Sequence, residues 1–165
     1  MSNKTGQTPD VEVFELFGPT IQFLTPLPDD DDGYCLLMGD VPPGVVVPIH
    51  SHSDHETFYI LAGEVQALKE DHWQTFGAGD VFDVPGGTKH AFRNVSAKNA
   101  SFLIVTTMAL ARFLGQVARP IANLPLGPPS NEALQRFAQA SLAEGHWLGS
   151  AADNAAVGIT LLSFN

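Results

Sequence analysis

His50, His52, His55 and Glu56 fall within seven positions of the stretch PIHSHSDHETFYI, which runs from Pro48 to Ile60. Imidazole and carboxylate groups are costly to bury unless they are paired or hold a metal, yet these stand at the head of an apolar, strand-like run. Two readings compete: a metal site on the inner wall of a barrel, or a polar loop rich in histidine. Side chains alternate across a strand with a period of two. His50 and His52 therefore share a face, and Glu56 joins them if the intervening turn keeps the parity. His55 falls on the other side, at the rim or outside. A second stretch, GDVFDVPGGTKHAFRN from Gly79 to Asn94, puts His90, Phe92 and Asn94 on one strand face after a tight turn. Folded across a barrel from the first, it would complete a set of three imidazoles and one carboxylate. Imidazole suits Zn, Cu, Fe and Ni, and the carboxylate adds a hard oxygen donor that offsets the charge of a divalent ion.

The elements that must position these groups are short. From Val11 to Thr107 the chain is a series of β-type runs, among them VEVFELF, YCLLMGDV, ETFYILAGEVQAL and ASFLIVTT. Runs of this length between turn residues predict an all-β sandwich or barrel. The breaks DDDDG, AG, GAGD and PGG supply those turns, glycine tolerating the positive φ they demand. Beyond Thr107 the apolar period changes. Leu110, Phe113, Leu114 and Val117 lie at helical spacing, as do Leu134, Phe137, Ala138 and Leu142. The proline-rich connector RPIANLPLGPPS separates the two helices, with Ser130 a good N-cap for the second and Gly145 its stop. AVGITLLSF, near the C-terminus, is a candidate for a strand returning to the barrel. The expected organisation is a barrel with N-terminal strands over 1–108, a helical extension over 109–150 and a C-terminal segment over 151–165, forming a single domain.

Composition narrows the partners. Eight Lys and Arg face 18 Asp and Glu, a net charge of −10, which opposes a phosphate backbone and offers no basic patch to nucleic acid or anionic lipid. A small molecule or another protein remains. Cys35 is the single cysteine, so no intrachain disulfide is possible, as fits a reducing compartment. MSNKTGQTPD lacks an apolar leader core, and no run approaches the roughly 18 apolar residues of a membrane span. The chain reads as soluble and cytoplasmic, binding neither nucleic acid nor membrane.

At this point a resemblance emerges. Gly44, His50, His52, Glu56 and Gly63 meet G-x5-H-x-H-x3-E-x6-G, and Gly79, Pro85, Gly87, His90 and Asn94 meet G-x5-P-x-G-x2-H-x3-N. Together they resemble the two-motif signature of the cupin superfamily. The 15 residues from Glu64 to Ala78 between the motifs are similar to those of a compact, single-domain member. The resemblance implies a double-stranded β-helix (jelly-roll barrel) holding one divalent transition metal ion (Fe, Mn, Ni, Co, Cu or Zn) on His50, His52, Glu56 and His90. It covers the β core and barely reaches the termini.

Cupins include dioxygenases, isomerases, decarboxylases, storage proteins and sugar-binding modules, so the fold leaves activity open. The compact spacing and helical tail are similar to bacterial quercetinase-like cupins, which implies an oxygenase acting on a small apolar or aromatic enol. Glu56 would then be a fourth ligand or, swung off, the base that takes the substrate proton. The alternatives are a non-catalytic binding cupin with an anchoring metal and a metal-assisted isomerase or lyase. Phe58, Ile60, Phe82 and Phe92 share the inward parity and are the candidate pocket wall, although core packing explains each equally well. Lys89 and Arg93 have the opposite parity to His90, which disfavours a sugar nucleotide. His72 and His146 read as ordinary surface or packing residues, Cys35 as a small core residue, and Asn94 as a structural hydrogen-bonding group. Tyr59 and Leu61 point outward yet are apolar, so that face should be covered, and a homodimer is expected.

Overall fold

The computed structural model describes residues 11–27, 29–69, 71–125 and 127–161. The N-terminal stretch read above for a leader, residues 1–10, lies outside them. The strands up to the first helix are β1 (Phe14–Glu15), β2 (Thr20–Phe23), β3 (Tyr34–Val41), β4 (Val46–Ser51), β5 (Glu56–Ala62), β6 (Glu64–Lys69), β7 (His72–Gly77), β8 (Val81–Val84), β9 (His90–Arg93) and β10 (Ala100–Thr107). There follow α1 (Met108–Val117), β11 (Arg119–Pro120), α2 (Asn131–Ala143), β12 (Trp147–Leu148) and α3 (Ala151–Ala156). All strand pairs are antiparallel. They form a seven-stranded sheet, β11-β1-β2-β3-β10-β5-β8, and a five-stranded sheet, β12-β4-β9-β6-β7. This is the expected all-β jelly roll with helices after it.

Alternation sets the core between the sheets. In β3, Cys35, Leu37, Gly39 and Val41 point in while Leu36, Met38 and Asp40 point out. Inward side chains of the two sheets, including Leu37, Phe58, Ile60, Phe82, Phe92, Phe102 and Ile104, form one buried cluster. A Cβ at Gly39 would lie 2.5 Å from the Phe102 ring, so the large aromatic fits because its cross-strand neighbour has no side chain. Cys35 is fully buried in this cluster, and burial pushes its thiol up, away from nucleophilic chemistry.

Gly63 makes the turn from β5 to β6 at φ 72°, with its α-carbon face 2.3 Å, Cβ to oxygen, from Asn99 O if any side chain were present. Glycine is required there on both counts.

The helical segment is joined to the barrel. Thr107 caps α1, accepting from Leu110 N, and also donates to Asp54 in the loop before β5. Ser130 caps α2, and Gly145, at φ 77°, follows its end. The strand that returns to the barrel is β12, beside β4, two residues long. AVGITLLSF forms no strand over its described part: residues 151–156 are helix, Ile159 is buried against Ile49, Leu68 and Ala91, and 162–165 lie outside the described residues. No helix among the described residues is long and apolar enough to cross a membrane.

Candidate metal centre

β4 and β9 are neighbours, and their register sets His50 directly opposite His90 after an irregularity between Val47 and His50. Pro48 sits within that irregularity, where a missing N–H costs the ladder nothing. The bulge, the turn at 85–88 and the loop at 52–55 bring His50, His52 and His90 together, one ring nitrogen of each within 4.8 Å of the others. Glu56, at the start of β5, flanks them, its Oε2 3.2 Å from His52 Nε2 and 3.6 Å from His90 Nε2. His52, Glu56 and His90 are 6%, 7% and 0% exposed, so three buried polar side chains meet beside the half-buried His50. His55 stands outside, its Nε2–H donating to Asp83 at 2.8 Å on an exposed surface.

The backbone aims the rings. Nδ1 of His50 lies 2.8 Å from Pro48 O, that of His52 3.0 Å from Asp54 O, and that of His90 2.9 Å from Thr88 O. A carbonyl oxygen only accepts, so each Nδ1 carries a proton, and a ring that is neutral turns its Nε2 lone pair toward the cluster. Such orientation by outer hydrogen bonds is how ligating histidines are held. With the rings neutral, the inner side of the cluster is all acceptor: imidazole lone pairs facing a carboxylate. His90 Nε2 is buried with no hydrogen-bond partner among the described residues, an arrangement that costs free energy unless a cation completes it. The donor set fits a divalent ion.

The electrostatics follow. Burial and the neighbouring His90 push His50 down to about 3, keeping it neutral. Burial would raise the Glu56 carboxyl, but a hydrogen bond from a protonated His52 and the proximity of His90 outweigh it and hold Glu56 down at about 2. Burial likewise works against charge on His52, yet Glu56 prevails and raises it. A proton shared between Glu56 and His52 is the minimal cation the cluster demands.

A cavity of about 640 Å³ opens on this cluster. Phe58 and Phe92 line it, as do His50, His52 and Glu56. Ile60 and Phe82, 1% and 4% exposed, are packed in the core because the sheets close over that end of the barrel. No Lys or Arg is among the lining residues. Val41, Val47, Phe102 and Ile104 of the barrel strands also line it, and further wall comes from Leu16 and Phe17 between β1 and β2, Leu110 and Phe113 on α1, Leu134 and Phe137 on α2, then His146 and Leu148.

His146, expected as an ordinary surface or packing residue, does pack, and it does so in the cavity wall. It lines the cavity, its ring 5.6 Å from that of His52 and 4.4 Å, edge to face, from Phe113. Burial and the nearby His52 lower its pKa. It arrives because β12 adds to β4 with Leu148 opposite His50, and a two-residue strand leaves no periodicity to read. Asn94 is as expected a structural group, 1% exposed, donating to Val41 O and Lys98 O and accepting from Ser96. The sequence motif passed over Gly86, where a Cβ would sit 2.1 Å from Ser53 O. This contact, with Gly87 N donating to His52 O at 2.7 Å, locks the 85–88 turn against the loop carrying His52.

The chain matches the Cupin domain family over residues 37–106. The dimethylsulfoniopropionate lyase DddQ of Ruegeria pomeroyi is 41% identical over 54 residues, 32% of this chain and 27% of the lyase. The crystal structure of that lyase aligns at 31% identity over 46% of this chain and 39% of its own, with a TM-score of 0.43. This chain thus spans about a quarter of the curated relative's length. The polyketide cyclase RemF of Streptomyces resistomycificus aligns at 20% identity over 85% of this chain and 99% of its own, TM-score 0.56. A predicted oxalate decarboxylase from Thermotoga maritima aligns at 21% over 61% and 96%, TM-score 0.55. At those two identities the likeness shows the fold alone. Over residues 37–106 the family match, the two motifs and the antiparallel double sheet agree on a compact cupin domain.

Proposed function

We propose that this protein is a metal-dependent enzyme that removes a proton from a small, largely apolar substrate held by an oxygen atom, and that its reaction is of the lyase type. The observation that carries the reading is the all-acceptor cluster of His50, His52, His90 and Glu56 set in an apolar cavity. His50, His52 and His90 would hold the ion, with Glu56 beside it as a ligand or as the base. When bound, the metal supplies Lewis acidity toward a substrate oxygen. Glu56 is ionised in the ordinary pH range, so it can accept a proton without prior loss of one. Phe58 and Phe92 exclude water around that carboxylate, strengthening its pull on an acidic C–H or O–H. The named relative, a lyase acting on dimethylsulfoniopropionate, supports elimination after proton removal.

A second reading, a dioxygenase acting on an aromatic enol in the manner of quercetinases, draws on the phenylalanines in the wall. The same base would serve it, and a redox-active metal would be required. The deciding experiment measures metal content of the protein as purified, together with oxygen uptake and alkene or product release on panels of enols and of carboxylates bearing a β leaving group. Product release without oxygen uptake, lost in Glu56→Gln while metal is retained, supports the lyase. Uptake on the enols moves the assignment to the dioxygenase, and a metal-loaded protein inert to both panels leaves a binding cupin.

The helical extension and barrel are proposed to act as one domain. For a partner, the outer face of the larger sheet carries Met38, Leu103, Tyr59 and Val81 in register across β3, β10, β5 and β8. Tyr59 and Val81 are 44% and 54% exposed. A second copy laid on this row about a two-fold axis would give the homodimer that the sequence suggests. A sedimentation mass of one chain at micromolar concentration would dismiss it.

A further inference from the structure

The wall contributed from outside the barrel is an ordered aromatic series. From His52 the ring centroids step 5.6 Å to His146, 4.4 Å to Phe113, 6.3 Å to Phe137 and 5.0 Å to Phe17. All four rings after His52 line the cavity, and all lie outside residues 37–106. They come from four separate places in the chain: the β1–β2 loop, α1, α2 and the α2–β12 turn. Packing alone does not demand that these converge on a space left open.

Phe17 shows that the arrangement is held against a local cost. It has φ 57°, the left-handed region, where a bulky side chain is a rare outlier that persists only when its surroundings over-determine it. Those surroundings are visible. Arg119 lies over the Phe17 ring at 4.6 Å and is itself fixed by Glu15 at 2.6 Å. Gly18 N also donates to Glu15, closing the turn. Strain of this kind clusters at ligand clamps. The Arg119 guanidinium, paired with Glu15, already occupies one face of Phe17, so that face is closed to a second cation. Among the described residues, no charged group lines this end of the series.

We infer that Phe17, Phe113 and Phe137 form the subsite that selects the substrate's tail, and that this tail is an uncharged apolar group, aryl or alkyl, rather than an onium cation. The inference rests on the proposed function only in placing the oxygen-bearing head at the histidine cluster. The enzyme's substrate is then an amphiphile, oxygen donor at one end and neutral hydrocarbon at the other. Because the specificity wall lies outside the cupin core, kinship in that core does not transfer substrate identity to this chain.

The test uses zinc-loaded protein and equilibrium binding of four carboxylates: acetate, 4-phenylbutyrate, hexanoate and a trimethylammonium butyrate. 4-Phenylbutyrate and hexanoate should bind at least tenfold more tightly than acetate, and the cationic probe no better than acetate. Phe137→Ala should remove about tenfold from 4-phenylbutyrate while leaving acetate unchanged. Phe17→Gly relieves the strained φ, so it should keep the melting temperature closer to wild type than Phe137→Ala does, yet lose the tail increment. A tail preference that survives both substitutions, or a cationic probe that binds as tightly as 4-phenylbutyrate, overturns the subsite. Failure of acetate to distinguish zinc-loaded from metal-free protein would instead count against the head-group site, leaving the tail increments as a separate result.

Discussion

Replacing Asn154 with alanine probes how firmly the C-terminal segment is tied to β4, the strand that carries His50. The side chain is fully buried, accepts from Ile49 N at 3.1 Å and donates to Gly149 O and Ser150 O at 3.1 and 3.0 Å. Ile49 precedes His50, and Gly149 N returns a bond to Ile49 O at 2.9 Å. Alanine leaves the Ile49 N–H buried without a partner, which costs about 1–3 kcal/mol. Ser150 O keeps the Asn154 backbone N–H at 3.0 Å, so only the Gly149 carbonyl is newly unpaired there. A total loss of about 2–4 kcal/mol, at roughly 2–4 °C per kcal/mol for a domain of this size, lowers Tm by about 4–16 °C. Thermal unfolding should be followed by circular dichroism on metal-free protein, because a bound ion would add its own linkage. Amide exchange at Ile49 reads the same tie locally and should accelerate. Asn154→Asp keeps the acceptor for Ile49 N but sets a carboxylate against two carbonyls, so it should be at least as damaging at neutral pH. A Tm within about 2 °C of wild type, with Ile49 exchange unchanged, would show that Asn154 ties nothing.

Two further outcomes are expected. For metal-free protein, His50 is lowered from 6.5 to about 3, so the unfolded chain takes up this proton first and stability falls as pH drops from about 6.5 towards 3. Glu56, lowered from 4.5 to about 2, adds loss in the same direction further down. His52, raised above 6.5, contributes stability that disappears as pH rises through its folded value. Urea midpoints should therefore peak near neutrality, and a profile flat from pH 7 to pH 4.5 would contradict this account. Gly86→Ala drives a Cβ into Ser53 O at a nominal 2.1 Å, backbone that cannot rotate aside. It should cost about 1–3 kcal/mol and weaken zinc binding by displacing His52, read by denaturation and by competition with a chelating dye. Unchanged zinc affinity would mean the 52–55 loop is not what aims the His52 ring.

The two motifs, with strand parity, named the residues that meet at the cluster and put His55 outside it, because a period of two is a local property that survives without knowledge of neighbours. Turn chemistry, the capping residue Ser130 and the apolar period are equally local, so the change from strands to helices after Thr107 could be read directly. The cavity could not. Its wall depends on Phe17, Phe113, Phe137 and His146, brought together by β12 pairing with β4 and by helix packing over the barrel. Contacts of that kind span from a few tens to more than a hundred residues and leave no periodic trace. Ile60 and Phe82 share their inward parity with Phe58 and Phe92, and only the closure of the two sheets decides which pair meets the cavity and which the core. Sequence by itself determined the ligand chemistry and the β scaffold, since both reside in spacing along one strand at a time. Tertiary structure decided the tautomers of the three rings, the unpartnered nitrogen of His90 and the aromatic wall, because each depends on which distant backbone carbonyl or ring lies within a few ångströms.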